Sequence, residues 1–251
     1  MEGSNSATES VPRSIAIIRC TEVDPIVEHL TSTLSKALPS VQIIYVVDAI
    51  DRPAVKSDDA LTIAMTASEL DHLGLYHGDP RTGWICGDYA YYLALQLDWR
   101  YAWLIEPDVY INERATAQLR EADQSNADLL TTDFHKAESG WSWKPRLEAV
   151  TDSIDTDTYA CFFPLTRASR QLVSDCLLYR QSMTSTLRRR PELWTPNDES
   201  VVATVAASKY RVIDLLTTYP RTFRLWSWDR PLRTADLAHV NEPTIAHPVR
   251  S

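Results

Sequence analysis

Basic residues are in deficit in this chain: 25 Lys and Arg stand against 34 Asp and Glu, a formal net charge of −9 over 251 residues. That deficit excludes a non-specific binder of nucleic acid or anionic membrane, since both need a surplus of cations. A single phosphorylated ligand needs only local positive charge and stays allowed. Glycine is scarcer, with six residues in all, and none follows the first apolar run, where "RCTEVDP" stands instead. A nucleotidyltransferase is expected to carry a Gly-rich, basic phosphate loop there, so that activity ranks low. No apolar run approaches the ~20 residues that span a bilayer. The opening "MEGSNSATESVPRS" lacks the apolar middle of a secretory signal. Residues 1–13 are therefore expected to form a flexible tail, and the chain to be cytoplasmic with no membrane span. Cys20, Cys86, Cys161 and Cys176 are far apart and never in CxxC spacing. They are expected to be buried thiols rather than a disulfide framework or a zinc site.

What is present is a series of short apolar runs separated by helical patterns. "SIAIIRC" (14–20) reads as a buried strand, followed by Asp24 as a helix cap with Pro25 behind it. Ile26, Leu30, Leu34 and Leu38 give that helix an apolar face. "VQIIYVVD" (41–48) and "ALTIAMT" (60–66) read as the second and third strands. Four of the six glycines then fall within 72–90, placing a loop ahead of a helix with Ile85, Tyr89, Leu93 and Leu97 on one face. "YAWLI" (101–105), "ADLLTTDF" (127–134), "YACFFPLTR" (159–167) and "YRVIDLL" (210–216) are further strands, with helices over 113–123, around Leu172, Val173, Cys176 and Leu177, and over 198–208. Apolar strands alternating with helices predict an α/β fold: a mostly parallel central sheet with helices on both faces. With no internal repeat or low-complexity linker, 14–251 is expected to be one domain that ends in an extended tail (219–251).

The fourth strand runs into Glu106-Pro107-Asp108. In extended chain, residues i and i+2 share a face, so the two carboxylates become neighbours, and Pro107 favours extended geometry at Glu106. Two adjacent acids repel and need a compensating partner. Oxygen ligands suit a hard cation such as Mg²⁺ or Mn²⁺, which could clamp a diphosphate. A neighbouring Arg capping an acidic strand end is the plainer alternative. Open α/β sheets bind ligands beyond the carboxyl ends of their strands, which is where this pair sits.

Strand, helix, strand, then an apolar strand ending in Glu106-Pro107-Asp108 resembles the nucleotide-sugar-dependent glycosyltransferases of the GT-A fold and their Asp-x-Asp motif. The resemblance covers roughly 14–216 in element order and departs from the motif in having Glu at its first position. It implies transfer of a sugar from a nucleoside-diphosphate sugar to a hydroxyl acceptor such as a glycan, polysaccharide or glycoconjugate precursor. It also implies that Asp108 ligates the metal, with Glu106 assisting or contacting the nucleotide. Asp48, at the end of the second strand, would contact base or ribose, unless it merely starts a turn. Arg19 and Thr21 would line the same pocket, and Asp88 would face the donor unless it serves only its helix terminus. Asp198 or Glu199, in "TPNDES", would serve the acceptor hydroxyl, as a general base if the reaction inverts. Asn197 as a cap with dipole-stabilising acids behind it explains that stretch equally simply. His247 would complete the metal shell, with His135 as its competitor. The triplets holding Trp141, Trp143, Trp226 and Trp228 could stack on an acceptor sugar or pack in the core. The "RRR" at 188–190 reads as solvated surface more than as a diphosphate clamp. A non-catalytic nucleotide-sugar-binding or scaffolding protein on the same fold is the rival from another class.

Overall fold

The computed structural model describes residues 13–53, 61–151 and 157–250. In chain order, β1 (Ser14–Cys20), α1 (Pro25–Ala37), β2 (Gln42–Asp48) and β3 (Leu61–Met65) come first. Helices α2 (Ala67–His72), α3 (Thr82–Ile85) and α4 (Tyr89–Leu93) lead to β4 (Tyr101–Ile105). Next come β5 (Tyr110–Ile111), α5 (Thr116–Asp123), β6 (Leu129–Lys136), α6 (Lys144–Val150), β7 (Tyr159–Ser169), α7 (Arg170–Arg189) and α8 (Asp198–Lys209). The remainder holds β8 (Val212–Asp214), α9 (Leu215–Thr218), β9 (Leu225–Trp226), β10 (Leu232–Arg233), α10 (Thr234–Leu237), β11 (Ile245–His247) and β12 (Val249–Arg250).

Seven strands form the main sheet in the order β3-β2-β1-β4-β7-β6-β8. Pairing is parallel from β3 through β4 and between β6 and β8, while β7 runs antiparallel to both its neighbours. The mixed α/β architecture expected from the apolar runs is thus the one found. Every residue of β1 is buried, because helices cover both faces. Ile15 and Ile17 join Ala102 and Leu104 against α4, α7 and α8, whereas Ala16 and Ile18 join Trp103 and Ile105 against α1 and α5. This two-residue alternation is why these strands read as unbroken apolar runs. Asp24 caps α1 by accepting from Ile26 and Val27 N–H, as its position predicted. All four cysteines are free and buried. Burial pushes the thiol pKa of Cys20 up to about 11 and of Cys86 to about 12.

Several expectations need correction. The single helix through Ile85, Tyr89, Leu93 and Leu97 is broken into α3, α4 and a 3₁₀ turn, with Gly87 between α3 and α4. The last strand is short, and its end turns into α9 because Asp214 caps Leu216 and Thr217. Residues 219–251 are not simply an extended tail. Within them, β9 and β11 join β5 in a three-stranded sheet, and β10 pairs with β12. Residues 1–12 of the predicted N-terminal tail lie outside the described residues. Arg13 is anchored, donating to the carbonyls of Asp123, Gln124 and Ser125. No helix among the described residues is long and apolar enough to cross a membrane.

Candidate active site

Strand order decides where the site lies. β2 follows β1 on one side of it and β4 lies on the other, so the ligand crevice of an open α/β sheet is expected beyond the carboxyl ends of β1 and β4. Arg19 stands at that end of β1, and Glu106 directly follows β4.

The acidic pair is formed by a turn rather than by the pleat. β4 stops at Ile105, and Val109 N–H donates back to the Glu106 carbonyl at 3.1 Å, with Pro107 at the position where its fixed φ suits a β-turn. Glu106 stays pinned to the sheet through its N–H to the Pro164 carbonyl. Its carboxylate meets Arg19 through one oxygen. Arg19 also donates to the Gly83 carbonyl at 2.7 Å and to the Trp84 carbonyl at 3.1 Å. The Arg cap considered as the plainer alternative therefore exists for Glu106, but it takes only half of that carboxylate.

Asp108 has no such partner. Its Oδ1 is buried with no hydrogen bond of good geometry, and the facing group is His247 Nε2 at 3.3 Å. The remaining Glu106 oxygen lies 4.0 Å from that same nitrogen. His247 arrives because β11 pairs antiparallel with β5, immediately after the acidic turn, and because Val249 N–H donates to the Asp108 carbonyl at 2.8 Å. Its imidazole sits among Phe162 and Trp226, with ring centroids at 5.1 and 5.2 Å. The other ring nitrogen, Nδ1, lies 2.8 Å from the Ser227 carbonyl. A carbonyl only accepts, so Nδ1 carries hydrogen and Nε2 points its remaining valence at two carboxylates. Burial alone would lower the His247 pKa, but Asp108, the Ser227 carbonyl and Glu106 together raise it above the usual imidazole value. One donor atom each from Glu106, Asp108 and His247 lies within 4.8 Å of the others. An imidazole fixed by a backbone carbonyl and two carboxylates, one of them with a buried oxygen that makes no hydrogen bond of good geometry, is a donor set that fits Mn²⁺ or Mg²⁺.

Two glycines of the loop bring further groups close. A Cβ on Gly83 would sit 1.8 Å from Asp48 Oδ2, so this approach requires glycine. Asp48 lines a cleft of about 130 Å³ with Arg52, Asp79, Thr82 and Gly83, and also accepts from Ile50 N–H. A Cβ on Gly87 would lie 2.5 Å from Asp198 Oδ2 and 3.0 Å from an Arg19 nitrogen. Asp198 accepts from Gly87 N–H at 2.9 Å and from Glu199 N–H at 2.8 Å. Its pKa is pushed up to about 7, first by burial and then by Asp88 and Glu106, with Arg19 opposing them. Glu199 is likewise raised, by burial and by Asp198, and accepts from the Asn197 amide at 2.8 Å. Asn197 caps α8 as well, so the structural role considered for this stretch is present alongside any other.

A roomier cavity of about 510 Å³ opens at the other end of the sheet, beside Trp99, Arg100, Ser169 and Arg170. It shares no residue with these groups.

Comparison with known proteins adds a loose likeness. No protein-family model and no curated relative matches the sequence. Among solved structures, the chain is similar to the galactosyltransferase LgtC in complex with donor and acceptor sugar analogs, at 11% identity and a TM-score of 0.45 over 90% of this chain and 77% of that one. It is also similar to the apo glycosyltransferase GlyE of Streptococcus pneumoniae, at 10% identity and 0.43, over 95% of this chain and 55% of that one. At so loose a likeness, function has to be read from the site's own residues.

The structure brings Glu106, Asp108, His247 and Arg19 together, with Asp48 and Asp198 joined to them through Gly83 and Gly87. Thr21 is exposed just beyond β1. Asp88 does not face the crevice. It is fully buried, with both oxygens on Arg180 at 2.8 Å and one on the Tyr92 hydroxyl, and it gives its helix no side-chain cap. His135 is not in the metal-type cluster; it is exposed and sits 2.8 Å from the Asp133 carbonyl. Trp226 packs behind His247 and donates to Thr132 Oγ1, while Trp228 is 79% exposed. Arg188 and Arg190 pair with Asp71 and Glu192 on the surface. Sequence reasoning missed Arg180, which donates to the Pro196 carbonyl at 2.8 Å and so steadies the loop entering α8. Its signal was a charge on the face of α7 shared by Val173, Cys176 and Leu187.

Proposed function

We propose that residues 14–251 form one metal-dependent glycosyltransferase domain. It takes a nucleoside-diphosphate sugar and passes the glycosyl unit to a hydroxyl of a glycan, polysaccharide or glycoconjugate precursor. The observation that carries this reading is the convergence of Glu106, Asp108 and His247, one donor atom from each within 4.8 Å of the others, with the buried Asp108 Oδ1 facing His247 Nε2 at 3.3 Å. Two carboxylates and an imidazole nitrogen that converge on one point suit a cation held among them.

In this reading Glu106, Asp108 and His247 hold Mn²⁺ or Mg²⁺, which when bound offsets the charge that grows on the diphosphate leaving group. Arg19 keeps Glu106 oriented and sets the Gly83–Trp84 backbone. Asp48 accepts from ribose or base groups in its cleft, and Thr21, exposed just beyond β1, adds a further contact to the donor. Asp198 or Glu199 serves the sugar or acceptor hydroxyls; burial raises both carboxyls, and that of Asp198, at about 7, suits proton exchange near neutrality. Four buried free thiols suit the reducing conditions of the cytoplasm.

The test is Mn²⁺-dependent binding and turnover of UDP-, GDP- and CMP-sugars by the wild-type chain and by Asp108→Ala. Loss of about 100-fold or more in donor affinity or turnover is expected on removing a ligand whose neighbours also hold the metal. Full transfer by Asp108→Ala would rule the mechanism out.

A further inference from the structure

Three tryptophans from separate parts of the chain meet beside the crevice. Trp84 lies in α3, Trp143 immediately precedes α6, and Trp194 lies in the loop that enters α8. The rings of Trp84 and Trp143 are 6.3 Å apart, with their planes at 59°. The Arg146 guanidinium lies between two indoles, 4.1 Å from the Trp143 ring centre and 4.3 Å from that of Trp194. Arg81 covers Trp194 at 4.9 Å. Yet Trp84 is 63% and Trp194 53% exposed, so these indoles keep large apolar faces open to water.

The charges here are unbalanced in a direction opposite to the chain as a whole. Arg81 is taken by Asp79, through two contacts of 3.2 Å. Arg146 has no carboxylate within ion-pair distance among the described residues, and its Nη1 is buried without a hydrogen-bond partner. Two guanidiniums thus share one acid in a chain of net charge −9. Burial and the neighbouring Arg81 both disfavour the Arg146 charge, and Asp79 relieves it only in part.

The location ties this cluster to the crevice. The Trp84 carbonyl accepts from Arg19, the residue that orients Glu106, and the Trp194 loop runs into Asp198. We propose that Trp84, Trp143, Trp194 and Arg146 form an acceptor subsite for a sugar ring that bears an anionic group, a carboxylate or a phosphate. The open face of Trp84 takes the C–H face of the ring, Trp143 and Trp194 hold the Arg146 guanidinium, and that guanidinium, which has no carboxylate partner among the described residues, takes the anion. That the ligand is an acceptor rests on the proposed glycosyl transfer; that this surface binds an anionic sugar does not.

The experiment titrates the full chain, without donor, with a glucuronate-containing disaccharide, glucose 6-phosphate and neutral cellobiose, following intrinsic tryptophan fluorescence. Inorganic phosphate alone serves as the control for the anion. The expected result is that one or both anionic sugars bind at least about tenfold more tightly than cellobiose. Arg146→Met abolishes that preference, Arg146→Lys keeps part of it, and Trp84→Ala weakens every sugar. The phosphate and uronate arms identify which anion is preferred. Equal affinity for charged and neutral sugars, or a preference that survives Arg146→Met, overturns the subsite. Should Arg146→Met fail to fold, Trp84→Ala at the exposed indole decides in its place, and unchanged binding there overturns the proposal. Anionic preference without Mn²⁺-dependent donor binding would support the subsite and defeat the transfer reading. Mn²⁺-dependent donor binding with no anionic preference would defeat the subsite alone.

Discussion

Arg180 and Arg19 each meet a carboxylate near Asp198, and the two pairs are built to opposite ends. Arg180 grips Asp88 with two donors at 2.8 Å, both side chains are essentially without exposure, and the Tyr92 hydroxyl takes a remaining lone pair. Arg19 meets Glu106 through one oxygen, and the Glu106 side chain remains 21% exposed with its second oxygen toward His247. A closed, fully bonded pair fixes α4 against α7 and the loop before α8, and offers nothing to a ligand. An open, half-bonded pair keeps acceptors in reserve. The difference teaches that ligand capacity is read from the valences a charged cluster leaves over and from its opening to solvent, since an arginine–carboxylate pairing is common to both.

Breaking the closed pair should have the largest effect. Asp88→Ala strands the Arg180 charge in the interior, and urea unfolding is expected to show a loss of about 3–5 kcal/mol. A loss below about 1 kcal/mol would put the two pairs in the same class. Asp108→Ala should change stability far less, within about 1 kcal/mol, because the half-exposed carboxylate it removes faces only His247 Nε2, at 3.3 Å and without a hydrogen bond of good geometry. Differential scanning calorimetry of the metal-free protein reads that directly. Gly83→Ala sharpens the comparison in the cleft. Its new Cβ must displace the Asp48 carboxylate, so donor affinity by calorimetric titration is expected to fall about tenfold with little change in melting.

A further effect is on pH dependence. Asp198 titrates at about 7 in the folded chain and near the ordinary carboxylate value when unfolded. The folded state therefore holds that proton to higher pH, and this group's contribution to stability falls as pH rises from about 4 to about 7. Burial sets most of the shift; Asp88 and Glu106 add to it, and Arg19 and the Glu199 N–H oppose it. Asp198→Asn should flatten that part of the profile, gaining more over wild type at pH 8 than at pH 5. Equal differences at the two values would mean that the carboxyl is ionised throughout.

The strands were legible because burial on both faces writes continuous apolar runs, as in Ile15–Ile18 and Tyr101–Ile105. The acids around Pro107 were legible because proline and charge interrupt such a run abruptly, although the turn that joins them was taken for pleat. His247 was visible only through the family pattern, since a pairing between β11 and β5 leaves little local signal in strands this short. Asp88 misled because an acid at a helix start looks alike whether it meets solvent or a buried arginine. Trp84 and Trp194 escaped notice because their meeting depends on how three loops pack, which no spacing encodes.

The seating of β11 beside β5 has one more consequence. Two of the three candidate ligands are near neighbours in the chain, but the third is delivered only when that late segment docks, so cation capture and docking are linked equilibria. A bound ion would then act as a latch, lowering the rate at which protease nicks the stretch between Ser227 and Val240, and chelation would release it.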